Sequence, residues 1–554
     1  KLYNDFKREA HEVLETAVIR REQTGNSMLN VSRGFLGRVN AMGLVYLVER
    51  DPVMLERINQ EVLAICAFKN WNTKVYLDTA EISMGLALAL DWTLDDLPAG
   101  TIAIAKQALI EKGIKPSWPE HGGNLRYAWF VDHYNNWNQV CNGGMIAAAI
   151  SVADIHPELA AKTIHRAMNG IPEVLAENYY PEGVCPEGVM YWHYTTMYAL
   201  LTASMLETAF GSDFGYAEYP GFMESATFRL MSNLAPSGRL YNFADCKETT
   251  SPQGDTFLAW FAVKTGKRMF WEKDKFMKPY DWKLHGYIAP AALSWMSGYK
   301  ETDASEPPLH WVGEGDTPVA IFTGRDEGRG FYFATKGGAG AVSHGNLDAG
   351  SFIFELDGVR WSIDPGIQSY ALGEEGFDLW KQEQNSERWQ LITKNNHGHS
   401  TMTVNNRRHR VGGYVRIKDY ELGKHPTVTL DMSPAFGQFA GPSTRSFKKT
   451  STDSLMIEDI ITPVNATREL RWQLITQAEV TTSGSKAVLK QDGKTLYLTQ
   501  LTEHQQPFVV RSLDPPPHPL DKRIEGLKRI ELTLPIPDNR PETVRIAVRL
   551  SGTE

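Results

Sequence analysis

The stretch His133 to Met145 reads HYNNWNQVCNGGM and sets four asparagines, Asn135, Asn136, Asn138 and Asn142, inside a run with helical patterning. Asparagine is a poor helix-interior residue because its amide competes for backbone hydrogen bonds. Amide NH₂ groups donate without adding a titratable group, so a cluster of them suits neutralisation of a carboxylate or of a developing negative charge. Farther on, YYPEGVCPEGVMYWHYTTMY is a turn-rich entry followed by a helix. Tyr191, Tyr194 and Tyr198 fall at i, i+3 and i+7, on one helical face just after Glu187. Three hydroxyls on that face describe a cleft wall, and equally an aromatic core stripe.

A third set lies in the last part of the chain. In SFIFELDGVRWSID the Asp357-Gly358 pair is a two-residue hairpin signal. Pairing outward from it joins Leu356 to Val359, Phe354 to Trp361 and Phe352 to Ile363, which puts Asp364 on the polar side. In SHGNLD, His344, Asn346 and Asp348 share a side if the segment is extended. In GHSTMTVNN, His399 shares a side with Thr401 and Thr403. Where these polar ledges meet, two imidazoles, a carboxylate and an amide would make a metal site, or only the wet face of a sheet.

Two kinds of element must position these groups. Across the first 300 or so residues apolar positions recur at three and four, as in DTAEISMGLALALDW and PELAAKTIHRAMNGIPEVL. Ten or more helices in hairpins predict a helical toroid or a stacked-pair array. After about residue 305, beyond a Pro/Gly/acid-rich linker, the period becomes that of short antiparallel strands, as in a β-sandwich. The expected domains are therefore 1–305 and 306–554, with a further division of the second near 440.

Composition narrows the function classes. The 554 residues are 42% hydrophobic and 22% charged, which is ordinary for a globular chain. A net charge of −9 supplies no global field for nucleic acid, so an anionic ligand needs a local basic cluster. No segment reaches the roughly 18 apolar residues of a membrane span. The chain opens on KLYNDFKREA without a charged-then-apolar leader, which predicts a cytosolic protein or one whose leader is removed. Cys66, Cys141, Cys185 and Cys246 form no CxxC pair, so they read as buried thiols, with one disulfide left open.

Taken together, NNWNQVCNGG, EGVMYWHY, SHGNLDAGSFIFELDGVRWSIDPG and HSTMTVNN resemble the heparinase II/III-like polysaccharide lyases over roughly residues 30 to 420. The resemblance implies an α+β multidomain chain, an incomplete (α/α) toroid followed by antiparallel β-sheets. It implies β-elimination on a uronate polysaccharide, a glycosaminoglycan of the heparin or heparan sulfate type by motif spelling, with alginate or oligoalginate as alternative. A toroid glycoside hydrolase is the other alternative, but Asp132, Glu182 and Glu187 do not make a convincing carboxylate pair.

By motif match the resemblance implies Asn136 as carboxylate neutraliser, Tyr191 as general acid or base, and His344 as base across the interface of the two halves. Asn135 is the near equivalent of Asn136, and Tyr194 is the fallback for Tyr191. Trp137, Asn138, Glu187, Arg126 and Arg388 are the further substrate-binding candidates. The implied metal ligands are Asn346, Asp364 and His399, for one structural divalent ion, zinc or calcium, with no organic cofactor. Asn346 stands where relatives usually carry His. The partner implied is an anionic polysaccharide, with neither nucleic acid nor membrane, in the periplasm or secreted. The oligomeric state stays open.

Overall fold

A computed structural model describes residues 2–93, 96–249, 256–272, 289–325, 328–374, 376–502 and 505–554. The chain divides into two compact units. The first comprises Lys1–Asn178, His193–Ala226 and Ser251–Glu306, and the second Tyr179–Trp192, Thr227–Thr250 and Pro307–Glu554.

The N-terminal helices are α1 (Leu2–Leu14), α2 (Leu29–Glu49), α3 (Pro52–Ala67), α4 (Tyr76–Thr93), α5 (Ala99–Ala108), α6 (Asn136–Val152), α7 (Pro157–Tyr179), α8 (Val189–Phe210) and α9 (Ser225–Met231). Their joints follow local chemistry. Arg50 ends α2 in the left-handed region with its N–H on the Tyr46 carbonyl, and Asp51 caps α3, where Pro52 is the first residue. Helix α4 packs against both α2 and α6. It is buried nearly all round, so its apolar residues form no single stripe. Glycines permit these close crossings. A Cβ on Gly85 would lie 3.3 Å from the Leu36 Cα, and one on Gly144 would lie 2.5 Å from the Ala80 carbonyl oxygen. The Gly143-Gly144 pair of the asparagine-rich stretch is thus a packing device, since a Cβ on Gly143 would meet the Thr202 hydroxyl at 2.7 Å.

Every strand of the described residues lies at or beyond His310. Strands β1 (His310–Gly313), β2 (Val319–Thr323), β3 (Tyr332–Lys336), β4 (Phe352–Leu356) and β5 (Val359–Ser362) form an antiparallel meander. An eight-stranded sheet runs β12-β13-β14-β17-β10-β9-β8-β7 and a four-stranded sheet β15-β16-β11-β6. Here β6 is Met402–Val404, β7 Ile417–Glu421, β8 Thr427–Asp431, β9 Ser443–Ser451, β10 Ser454–Ile461 and β11 Glu469–Thr476. The remaining strands are β12 (Glu479–Ser483), β13 (Lys486–Gln491), β14 (Lys494–Gln500), β15 (Val509–Ser512), β16 (Lys528–Pro535) and β17 (Val544–Ser551). The strands on either side of residue 440, β8 and β9, pair with each other in one sheet. One apolar core, including Phe333, Phe352, Trp361, Phe447 and Trp472, joins residues of all three sheets.

The hairpin β4–β5 turns at Asp357 and Gly358, both with positive φ, and pairs Leu356 with Val359 and Glu355 with Arg360. Beyond that the register shifts, and Phe354 faces Ser362 instead of Trp361. A bulge takes up the extra residue, so the regular alternation expected from the turn fails there. The polar face is also dry. Glu355 and Arg360 form a buried ion pair at 2.6 Å, and Arg360 donates to the Leu240 carbonyl while Glu355 accepts from Ser237. All four cysteines are free and buried.

Candidate active site

At the start of α6 the four asparagines divide their work. Asn135 is the N-cap, its side-chain oxygen accepting from the Trp137 N–H. The Asn138 amide donates to the carbonyls of His133 and Gly170, at 2.7 and 2.8 Å. The Asn142 amide donates to the Val131 carbonyl and to the Asn138 oxygen. Three amides therefore fasten the 131–135 loop to the helix. Asn138 is fully buried in that role, so its sequence assignment to substrate binding gives way to a structural one. The Asn136 side chain makes no hydrogen bond among the described residues, although the residue is only 4% exposed. Trp137 is partly exposed.

The second unit holds a connected set of polar groups around His344. The extended conformation expected for SHGNLD does not occur. These residues form turns and irregular backbone, and His344 itself sits at φ 56°, in the left-handed region. Its Nδ1 lies 3.0 Å from the Asp245 Oδ2. The Tyr370 hydroxyl also lies 3.0 Å from that oxygen, and Lys394 binds the other one, Oδ1. Burial opposes ionisation of Asp245, but Lys394 and His344 outweigh it and hold the carboxyl well below its usual range.

An ionised carboxylate only accepts, so His344 carries its proton on Nδ1 and Tyr370 donates to Asp245. The Tyr370 oxygen is then the acceptor for the Tyr191 hydroxyl, 2.8 Å away. Burial, the neighbouring Tyr191 and the Asp245 charge push the Tyr370 phenol far above its ordinary range, so it stays protonated. The Tyr191 ring stacks on the His344 imidazole with centroids 3.9 Å apart, and Trp380 meets that imidazole edge-on at 5.4 Å. The His344 Nε2 lies 3.4 Å from Glu187 Oε2.

Of the residues singled out from sequence, Tyr191, Glu187 and His344 come together here. Glu187 is fully buried and acts on the imidazole, not as an exposed wall. Arg388 is also buried and donates to the Gly345 carbonyl, bracing the turn beside His344 rather than presenting an anion clamp. Burial lowers its guanidinium to about 10. Tyr194 is engaged elsewhere: its hydroxyl donates to the buried Glu81, and Arg33 lies over its ring. Arg126 is exposed in a short turn capped by Asn124. Sequence reasoning missed Asp245, Tyr370 and Lys394. Asp245 and Lys394 are 149 positions apart, and only the fold pairs them.

Asp348, Asp364 and His399 bring two carboxylate oxygens and an imidazole nitrogen within 4.8 Å of one another, all buried. His399 Nδ1 faces Asp364 Oδ2 at 3.0 Å, and burial, which disfavours the imidazolium, is outweighed by Asp364, so the ring is easier to protonate than usual. Lys336 neutralises Asp348 through Oδ1, while Asp348 Oδ2 has no hydrogen-bond partner among the described residues. Asn346 is buried, with neither amide atom hydrogen-bonded among the described residues. Hard oxygen donors beside one imidazole fit a divalent cation. Asp348 is the acid that the sequence-derived ligand set lacked.

Residues 325–551 match the family model described as Heparinase II/III-like, C-terminal. In fold the chain is similar to heparan sulfate lyase HepC from Pedobacter heparinus, with TM-score 0.61 and 14% identity over 99% of this chain and 83% of that one. It is similar to a heparinase III gene product, with TM-score 0.59 and 14% identity over 99% and 84% of the two chains. A chondroitin AC lyase from Streptomyces coelicolor A3, in complex with chondroitin sulphate, gives TM-score 0.52 and 11% identity over 100% and 79%. No curated protein sequence matches the chain. At such identities the likeness is one of fold, a helical toroid followed by antiparallel sheets.

Proposed function

We infer that this chain, whose residues 325–551 match the heparinase II/III-like C-terminal family model, is a polysaccharide lyase that cleaves uronate-containing glycans by β-elimination. The heparin and heparan sulfate class is the proposed substrate. The observation that carries the reading is the Tyr191–Tyr370–Asp245–His344 chain of hydrogen bonds.

In the reaction a base removes the proton from C5, next to the uronate carboxylate. The C5–H electron pair forms a C4–C5 double bond, and the C4–O bond breaks as its oxygen takes a proton. Removing that proton from a carbon beside a charged carboxylate builds a second negative charge, which hydrogen-bond donors must absorb. Asn136, whose amide is uncommitted within its own unit, is the proposed donor to the carboxylate. Asp245 holds the Nδ1 proton of His344, so Nε2 is the nitrogen able to accept a proton. Tyr191 is the proposed general acid: its hydroxyl, which at rest donates to Tyr370, turns to the C4 oxygen to deliver its proton.

A divalent cation, zinc or calcium, is proposed to be held by Asp364, His399 and Asp348, with Asn346 as further donor. When bound it would fix, as a structural ion, the turn that carries His344. The proposed location is periplasmic or secreted, as a polymeric substrate requires. Among the described residues no helix is long and apolar enough to cross a membrane.

Incubation with heparin, heparan sulfate, chondroitin sulfate, hyaluronan and alginate tests the activity. Release of an unsaturated uronate, read by its ultraviolet absorbance, is expected from the heparin class. Reducing ends without that absorbance would replace the lyase with a hydrolase.

A further inference from the structure

The four-stranded sheet β15-β16-β11-β6 has one face in the apolar core and the other outside it. Leu470, Trp472 and Leu474 of β11 and Ile530 and Leu532 of β16 belong to the core. Strand alternation therefore puts Arg471, Arg529 and Glu531 on the other face. The register sets Arg511 of β15 directly opposite Arg529. Like charges in that position repel. One carboxylate relieves them: Glu531 accepts from Arg511 Nε at 3.1 Å on one oxygen and from Arg529 Nε at 2.7 Å on the other.

The cluster remains under-compensated. Arg471 is only 7% exposed, and its Nε has no hydrogen-bond partner among the described residues, standing 4.0 Å from Glu531 Oε2. Its Nη2 donates to the Asn406 oxygen and to His397 Nδ1, while Arg529 donates to the His397 carbonyl. Burial and the cations Arg471, Arg529 and Arg408 push the His397 imidazole down to about 3, so it stays neutral. With Nδ1 accepting, its proton sits on Nε2, one more donor. Arg408, Arg471, Arg511 and Arg529 stand against two carboxylates, Glu469 and Glu531, and two positive charges are left over. This is a local basic cluster of the kind that the overall charge of −9 does not supply.

We propose that Arg511 and Arg529, backed by the buried charge of Arg471, bind a tetrahedral oxyanion, a sulfate or phosphate group, on the outer face of the four-stranded sheet. A guanidinium offers a planar fork of donors that fits such a group. Arg511 spends Nε on Glu531, and its side chain is 62% exposed, so the rest of that fork faces solvent. The groups around His344 take no part, and the site stands whether or not the chain is a lyase. The oxyanion is either a free ion or an ester carried by a larger molecule.

Thermal unfolding of the full chain, followed against sodium sulfate and sodium phosphate with sodium chloride at equal ionic strength as reference, tests the site. Sulfate also stabilises proteins generally by exclusion from their surface, an effect that grows without saturating. A bound ion gives a saturable rise instead. Arg511 lies exposed on an edge strand, so its variants are expected to keep the fold. Arg511→Gln is expected to raise the half-saturating concentration by about tenfold. Arg511→Lys keeps the charge without the fork and is expected to raise it by about threefold. A sulfated heparan decasaccharide and its desulfated counterpart separate the two sources, titrated by calorimetry into protein carrying Tyr191→Phe with and without Arg511→Gln. Arg511-dependent binding of the sulfated oligosaccharide alone assigns the site to an ester, and saturation by the free ions assigns it to an ion; both support the site. Equal Arg511-dependent binding of the desulfated oligosaccharide overturns it, because a carboxylate then suffices. A saturable effect that both Arg511 variants leave unaltered overturns it, as does the absence of any saturable or Arg511-dependent binding.

Discussion

The Tyr191 hydroxyl lies 2.8 Å from the Tyr370 hydroxyl, and Tyr370 in turn reaches Asp245. The outer phenol thus sits at the end of a relay whose inner end is a fixed negative charge. Tyr191→Phe is expected to lower kcat by about 10²–10⁴-fold, the usual worth of a general acid, with binding retained. Tyr370→Phe keeps the ring and removes only the bridging hydroxyl, so a smaller loss in kcat is expected. Steady-state kinetics with both variants decide the order, and near-normal turnover in Tyr191→Phe would move the role to another group.

Asn136 and Asn138 stand two positions apart with opposite commitments. Asn136→Ala is expected to lower kcat by about 10²–10³-fold, as loss of a charge-stabilising donor does, with little change in stability. Asn138→Ala strips partners from two carbonyls and is expected to cost about 1–3 kcal/mol for each acceptor left dry. Denaturant unfolding and kinetics on the same two proteins separate the effects. A destabilised Asn136→Ala with normal kcat would reverse the assignment.

Asp245 is held ionised more firmly in the folded chain than in the unfolded one, despite its burial. Its contribution to stability is therefore complete above the ordinary carboxylate value, about 4, and is withdrawn as the pH falls toward its lowered folded value. Asp245→Asn leaves Lys394 buried without its counter-charge and is expected to cost about 3–5 kcal/mol near neutral pH. The wild type should lose more stability than the variant between pH 5 and the acid limit of folding. Parallel stability curves would show that Asp245 carries no such linkage.

Metal analysis of protein purified without chelator is expected to give one divalent ion per chain. Chelation should lower the unfolding temperature of the wild type and leave Asp364→Ala unaffected. A metal-free wild type, indifferent to chelator, would overturn the metal assignment and leave Asp348 to its ion pair with Lys336.

Much of this architecture could be read from periodicity. The change from helical to strand spacing after about residue 305 is real, and Asp357-Gly358 makes the expected turn. Local patterns failed where the backbone departs from regularity. The register slips at Trp361 because β5 is the edge strand of its sheet, where bulges are most readily taken up, and SHGNLD folds into turns that no alternation could reveal. The inner partners of His344 were invisible for a different reason. Asp245, Tyr370 and Lys394 come from three separated segments, and nothing in their neighbours signals that they share one buried carboxylate.

The burial of all four thiols has a practical outcome. With desolvation pushing Cys66 and Cys246 up to about 12, little thiolate exists for alkylating reagents at neutral pH. A cysteine introduced by Leu125→Cys, at a position 70% exposed, would then be the one site open to a maleimide dye. Ligand binding could be followed from a single fluorophore, without first stripping the native sulfur from the protein.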